Sequence, residues 1–250
     1  MGRLLVVSGP SCAGKSPLLA AMGRLYPRRL DSVRPLVLYN SRKPRPGEQD
    51  GVDYHFRPRA EIERLRKDPG HLVMDVRGDL QALDLSLLAS AEGDLLFEGN
   101  PFVGAELMRA PLPGGFGRLG VFISPLSMDE IQRLRQMGAD VRALLAEMMR
   151  RKLLRRGAEM MGHLSLPALE EVERRATSAW KELRLAHRFD WVLPNHDGED
   201  SEHWDAYYYP VGDALRTMDG LLELWAGRSP AWAERWREGQ LPETREREDA

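Results

Sequence analysis

Eight residues near the start of the chain, Gly9-Pro10-Ser11-Cys12-Ala13-Gly14-Lys15-Ser16, follow the spacing G-x-x-x-x-G-K-[ST]. Glycines at both ends let the backbone curl so that successive N–H groups converge, which suits phosphate oxygens. A helix beginning at the lysine would add the positive end of its dipole. Lys15 would then reach the β- and γ-phosphates of ATP as a catalytic cation, and Ser16 would ligate Mg²⁺. The expected ATP-binding set is Gly9, Pro10, Ser11, Cys12, Ala13, Gly14, Lys15, Ser16 and Pro17. Pro17 falls in the first helical turn, where a missing N–H costs little. Cys12 has two readings. A helix N-terminus favours a thiolate, but a small spacer whose backbone N–H alone matters fits as well.

A second group follows in the segment from Ser41 to Phe56, rich in prolines and glycines. Arg42 and Arg45 stand three apart, and two guanidinium forks can clamp one phosphate. Tyr54 can add a hydroxyl donor, and Ser41 stands beside them. Taken alone, the same residues could form a solvated basic turn.

These groups need elements to hold them. Residues 4–7 read as a buried strand leading into the glycine turn, and residues 15–25 as the helix after it. Further strands are expected at 36–39, 71–76, 94–98, 120–123 and 191–193. Helices are expected at 60–67, 80–91, 128–156 (one or two), 166–187 and 214–226. Alternating strands and helices predict an α/β fold of three layers, a mostly parallel sheet with helices on both faces. From residue 228 the composition shifts, and the charged stretch from Pro242 reads as frayed.

The 250 residues suffice for one α/β domain with a small accessory region. A net charge of −2 gives no electrostatic case for nucleic acid or an anionic membrane as partner. The apolar run at the N-terminus is too short for a signal peptide or a membrane span. Cys12 is the single cysteine, so no disulfide can form within the chain, as expected of a cytoplasmic protein. A monomer or homodimer is expected.

The two motifs together resemble the guanylate kinase family. Its pattern is close to G-P-S-G-x-G-K-S-T-L followed by T-T-R-x-P-R-x-G-E-x-[DN]-G-x-D-Y-x-F. This chain matches at Gly9, Pro10, Ser11, Gly14, Lys15, Ser16, Leu18, Arg42, Pro44, Arg45, Gly47, Glu48, Gly51, Asp53, Tyr54 and Phe56. The resemblance implies a P-loop kinase domain over residues 1–227, with an acceptor-binding region near 33–95, a lid near 135–165 and a C-terminal tail at 228–250. It implies ATP and Mg²⁺ as cofactors and a small-molecule acceptor, a nucleoside monophosphate. Arg42, Arg45 and Tyr54 would hold the acceptor's phosphate, and Arg42 would join Lys15 in catalysis. Glu98 would face the nucleotide pair from a strand end. Arg133, Arg135, Arg150 and Arg151 are lid candidates, with Arg151 taken as catalytic. Asn195 would sit beside the ATP base.

The resemblance breaks where the family reads guanine. The serine four positions before the first arginine falls on Leu38. The glutamate falls on Leu72, for which Asp75 would substitute after a register shift. The loop G-N-Y-Y-G becomes Gly78-Asp79-Leu80-Gln81-Ala82, leaving Gln81, Asp75 or Asp79 to read a base. Three functions therefore stay open. One is transfer from ATP to GMP, another is a related kinase with a different phosphorylated acceptor, and the third is a binding module without catalysis.

Overall fold

The computed structural model describes residues 2–45, 47–112 and 114–242. The end beyond Pro242, expected to be frayed, and Pro46 of the basic loop lie outside them. In chain order the elements are β1 (Arg3–Ser8), α1 (Lys15–Leu25), α2 (Pro27–Leu30), β2 (Val33–Pro35), β3 (Tyr39–Asn40), β4 (His55–Phe56), α3 (Arg59–Leu65), β5 (His71–Val76), β6 (Asp79–Asp84), α4 (Ser86–Ala89), β7 (Asp94–Gly99), α5 (Pro101–Leu107), β8 (Gly117–Ser124), α6 (Met128–Gln136), α7 (Val141–Met161), α8 (Leu166–Leu183), β9 (Trp191–Pro194) and α9 (Gly212–Trp225).

A five-stranded sheet runs β2-β7-β1-β8-β9, parallel throughout. Its central strand shows why the first apolar run is unbroken. Leu4 and Val6 point into a core shared with α5 and α8, while Leu5 and Val7 point into another shared with α1 and α9. A strand covered on both faces has no polar side to show in its sequence. The three-layer expectation therefore holds.

A smaller sheet, β4-β3-β6-β5, holds the middle of the chain, with α3 against one face. Here two expectations fail. Residues 80–91 form no single helix. Residues 79–84 are a strand paired antiparallel with β5, and only Ser86–Ala89 is helical. Leu80 and Ala82 face Ile62 of α3, while Leu83 turns to the large core. Burial on both faces hid the period of two from the sequence. The hairpin closes through Arg77 and Gly78 at φ 53° and 90°, the turn type that matches strand twist. The strand expected at 36–39 is also divided. Val33–Pro35 belongs to the large sheet and Tyr39–Asn40 to the small one, so the intervening residues hand the chain from one sheet to the other.

The basic stretch 128–156 resolves into two helices. Ser127 and Glu130 form a reciprocal cap at the start of α6. Gly138 breaks the path, and Asp140 caps α7 by accepting from Ala143 N. α7 then packs along α8. The stretch after α9 is docked rather than loose as far as it is described. Val192 and Glu234 exchange backbone hydrogen bonds at 2.8 Å, and Trp236 is buried.

Candidate functional site

The glycine turn joins β1 to α1 at the carboxyl edge of the parallel sheet, where ligands of such folds bind. Gly14 has φ 92°, and a Cβ there would collide with Asp197 O, Asn195 Nδ2 and the Trp204 ring. Only glycine allows that approach. Lys15 lies buried across the loop, with Nζ donating to Gly9 O at 3.0 Å and Pro10 O at 2.7 Å. Ser16 Oγ donates to Glu98 Oε1 at 2.8 Å, so the end of β7 meets the start of α1 through one hydrogen bond between two oxygens.

Cys12 sits at φ 58° where the family pattern has glycine. Burial, then Glu199, pushes its thiol up to about 12. The thiolate reading is thereby overturned, and Cys12 is a small buried spacer.

The loop that carries Arg42 and Arg45 faces the same space. Arg42 makes a bidentate pair with Glu48, both bonds 2.6 Å, and lies over the Tyr54 and Phe56 rings. Glu48 also accepts from Arg45 N, so one carboxylate fixes both arginines of the loop. Arg45 Nη2 donates to Glu171 Oε1 of α8 at 2.7 Å.

One cleft of about 540 Å³ unites these groups. Gly9, Ser11, Cys12, Lys15 and Ser16 line one side, and Arg42, Arg45, Glu48 and Tyr54 another. Leu36, Leu38 and Val76 form an apolar wall, and Gln81, Glu98 and Asn100 complete the lining with groups from elsewhere in the chain. The cations Lys15, Arg42, Arg45, Arg77, Arg156 and Arg175 outnumber the carboxylates Glu48, Asp53, Glu98 and Glu199. Arg77 and Arg175 both donate to Ser11 Oγ, at 3.2 and 2.9 Å. Burial, followed by the guanidinium of Arg45 and those of Arg77 and Arg156, pulls Arg175 down to about 10. Crowding of cations is what a polyphosphate would relieve.

Four of the expected contacts lie elsewhere. Asp75 does not reach the cleft. β5 keeps its register with β6, so Met74 and Val76 face the core while Asp75 points outward to Arg59 and Arg66. Arg151 is largely exposed and paired with Glu147. Ser41 braces the loop, its Oγ accepting from Leu80 N at 2.8 Å. Asn195 is fully buried and donates to Ala13 O, a brace on the glycine turn rather than a surface for a base. Arg150, a further lid candidate, is spent on Glu147 and Glu173. Arg133 and Arg135 lie on α6 and line no part of the cleft.

Sequence reasoning passed over Arg77, Arg156, Arg175, Asn100 and Glu199. Nothing marks them among so many charges, because pairing across 66 to 164 positions leaves no local pattern. A larger cavity of about 950 Å³ lies between α7 and residues 196–203 and includes Arg151, but it touches neither the glycine turn nor the loop of Arg42 and Arg45. The chemistry, not the volume, selects the smaller cleft.

A family model for guanylate kinase matches residues 1–71. The guanylate kinase of Nitratidesulfovibrio vulgaris is 34% identical over 238 residues, covering 90% of this chain and 96% of that protein. The chain belongs to the guanylate kinase family. The guanylate kinase of Rhodococcus jostii is 31% identical over 91% of this chain and 88% of its own length. Among solved structures, guanylate kinase from Anaplasma phagocytophilum aligns with a TM-score of 0.51 at 20% identity, over 92% of this chain and 88% of that one. That likeness supports the P-loop fold. As a member of a kinase family the chain is an enzyme. No helix among the described residues is long and apolar enough to cross a membrane.

Proposed function

We propose that this guanylate kinase family member transfers the γ-phosphoryl group of ATP to a nucleoside monophosphate, GMP first of all. The observation that carries the reading is the shared cleft. A main-chain anion cradle with its lysine and a pair of arginine forks with a tyrosine line one cavity.

Phosphoryl transfer asks for positioning and charge neutralisation, not for a protein nucleophile. The amides of residues 9–16 and Lys15 would hold the donor phosphates, Lys15 exchanging its two carbonyl partners for phosphate oxygens. Arg42, Arg45 and Tyr54 would hold the acceptor's phosphate. Arg156 and Arg175 would offset the charge that develops between donor and acceptor, in the place expected of Arg151.

The oxygen donors present suit Mg²⁺. Ser16 and Glu98 already meet at 2.8 Å, and no cluster of three or more acidic, histidine or cysteine ligands exists among the described residues. A magnesium site with few protein ligands, completed by phosphates and water, is the usual form. When bound, the ion would supply positive charge to offset that of the phosphates. Ser16 would ligate it and Glu98 would orient its water. The intact Lys15-Ser16 pair and the family membership do not favour a module without catalysis. The one cysteine is buried and free, which suits a reducing cytoplasm.

The test is ADP release with GMP, dGMP, AMP, CMP and UMP as acceptors. Turnover with GMP supports the proposal. ATP binding with no transfer to any monophosphate would sink it.

A further inference from the structure

Gln81 lines the cleft at 6% exposure, yet its side-chain amide has no hydrogen-bond partner among the described residues. With no protein partner, this amide keeps its donors and acceptor for whatever enters the cleft. Neither amide atom is sealed inside the protein, so both are open to the cleft. The same cleft is lined by Leu36, Leu38 and Val76, whose side chains offer no hydrogen bond. In register, Gln81 stands opposite Asn40, two residues before Arg42 of the phosphate clamp. An unpartnered amide in a cleft with apolar residues, a short step from a phosphate site, has the form of a seat for a base joined to that phosphate through a sugar.

We propose that Gln81 reads the base of the acceptor, and that its amide accepts either purine. The inference rests on the acceptor being a nucleoside monophosphate. Guanine offers an N1–H donor beside the O6 acceptor; adenine offers an N1 acceptor beside the N6 amino donor. A glutamine carries one carbonyl and one NH₂, and half a turn of the amide exchanges them. It complements both edges. A carboxylate only accepts, and would select the N1–H and amino donors of guanine. Asp75, which could have supplied that charge, points away from the cleft. Gln81 is a binding residue, remote in role from Lys15 and the transferring group.

The experiment uses the full chain as wild type, Gln81→Leu and Gln81→Glu. Equilibrium titration with GMP, AMP and ribose 5-phosphate is set beside kcat/KM for the two nucleotides. Wild type should bind GMP and AMP within about tenfold of each other, and both at least about tenfold more tightly than ribose 5-phosphate. Gln81→Leu should reduce both purine affinities toward that of ribose 5-phosphate, whose own binding stays constant and reports an intact fold and clamp. Gln81→Glu should raise the GMP-to-AMP preference at least about tenfold.

Unchanged purine affinity in Gln81→Leu, or an unchanged preference in Gln81→Glu, overturns the role of Gln81. If Gln81→Leu loses ribose 5-phosphate as well, the Gln81→Glu preference decides. A wild-type preference for GMP beyond about tenfold overturns the acceptance of either purine. Should the binding pattern hold while no nucleotide is phosphorylated, the inference stands and the phosphotransfer reading fails.

Discussion

Arg45 and Glu171 form an ion pair of 2.7 Å that ties the acceptor loop to α8, the helix that also carries Arg175. Glu171 accepts from Arg174 as well, and its carboxylate holds Arg45 Nη2, a donor for which an acceptor phosphate would compete. A part-exposed pair of this kind is worth about 0.2–1 kcal/mol. Glu171→Gln should therefore lower the KM for the acceptor by up to about fivefold and leave the KM for ATP alone. Steady-state kinetics with each substrate varied in turn will check this; a raised acceptor KM would show that Glu171 assists binding instead.

Lys15 presents a different case, because its ammonium is buried and its partners are carbonyls of the loop it serves. Lys15→Ala removes the cation that would sit on the donor phosphates. Loss of one such donor costs on the order of 10²–10³ in kcat. Two carbonyls lose a partner, so stability should fall by about 1–3 kcal/mol without unfolding the domain. Turnover and a urea melt on the same preparation test both halves, and near-normal turnover would reject the mechanism.

Arg175 and Arg151 separate the observed cleft from the expected lid. Arg175 bonds Ser11 of the glycine turn, whereas Arg151 pairs with Glu147 in solvent. Arg175→Ala should reduce kcat by about 10²-fold or more, and Arg151→Ala should stay within about twofold, as exposed pairs contribute little. Equal effects from the two variants would place the neutralising charge wrongly.

What the sequence made legible was local. The glycine turn announces itself because β1, the turn and α1 are consecutive, and Arg42, Arg45 and Tyr54 sit within one short loop. The contributions of Arg77, Arg156 and Arg175 depend on distant segments meeting, which no spacing encodes. The misreading of residues 79–84 has a related cause. Leu80 and Leu83 are both buried, on opposite faces, so the strand shows no amphipathic period and resembles a helix. Asp75 was misplaced because its role required an odd-numbered register shift, from Leu72 to Asp75, and an odd shift turns every side chain of a strand to the other face. The family pattern carried the rest, and of the two positions where it loses a polar residue, Leu38 lines the cleft and Leu72 does not.

Cys12 allows a prediction about pH. Its thiol is pushed up to about 12 from an ordinary value of 9.0, first by burial and then by Glu199. The folded form keeps the proton to higher pH than the unfolded form. Between those values the unfolded state binds fewer protons, so stability falls as pH rises. The contribution is complete below pH 9 and fades through about 12. The slope approaches about 1.4 kcal/mol per pH unit for one such group. Lysines and tyrosines titrate in the same range, so the measurement is a difference. Urea melts of wild type and Cys12→Ala between pH 8 and about 10.5 should converge or cross as pH rises, the wild type losing stability faster. At neutral pH the same thiol should react with iodoacetamide at least about 10²-fold more slowly in the native protein than in urea, since the thiolate is the nucleophile. Parallel melting curves together with rapid native alkylation would show a thiolate in the glycine turn, and Cys12 would then have to be counted among its reactive groups.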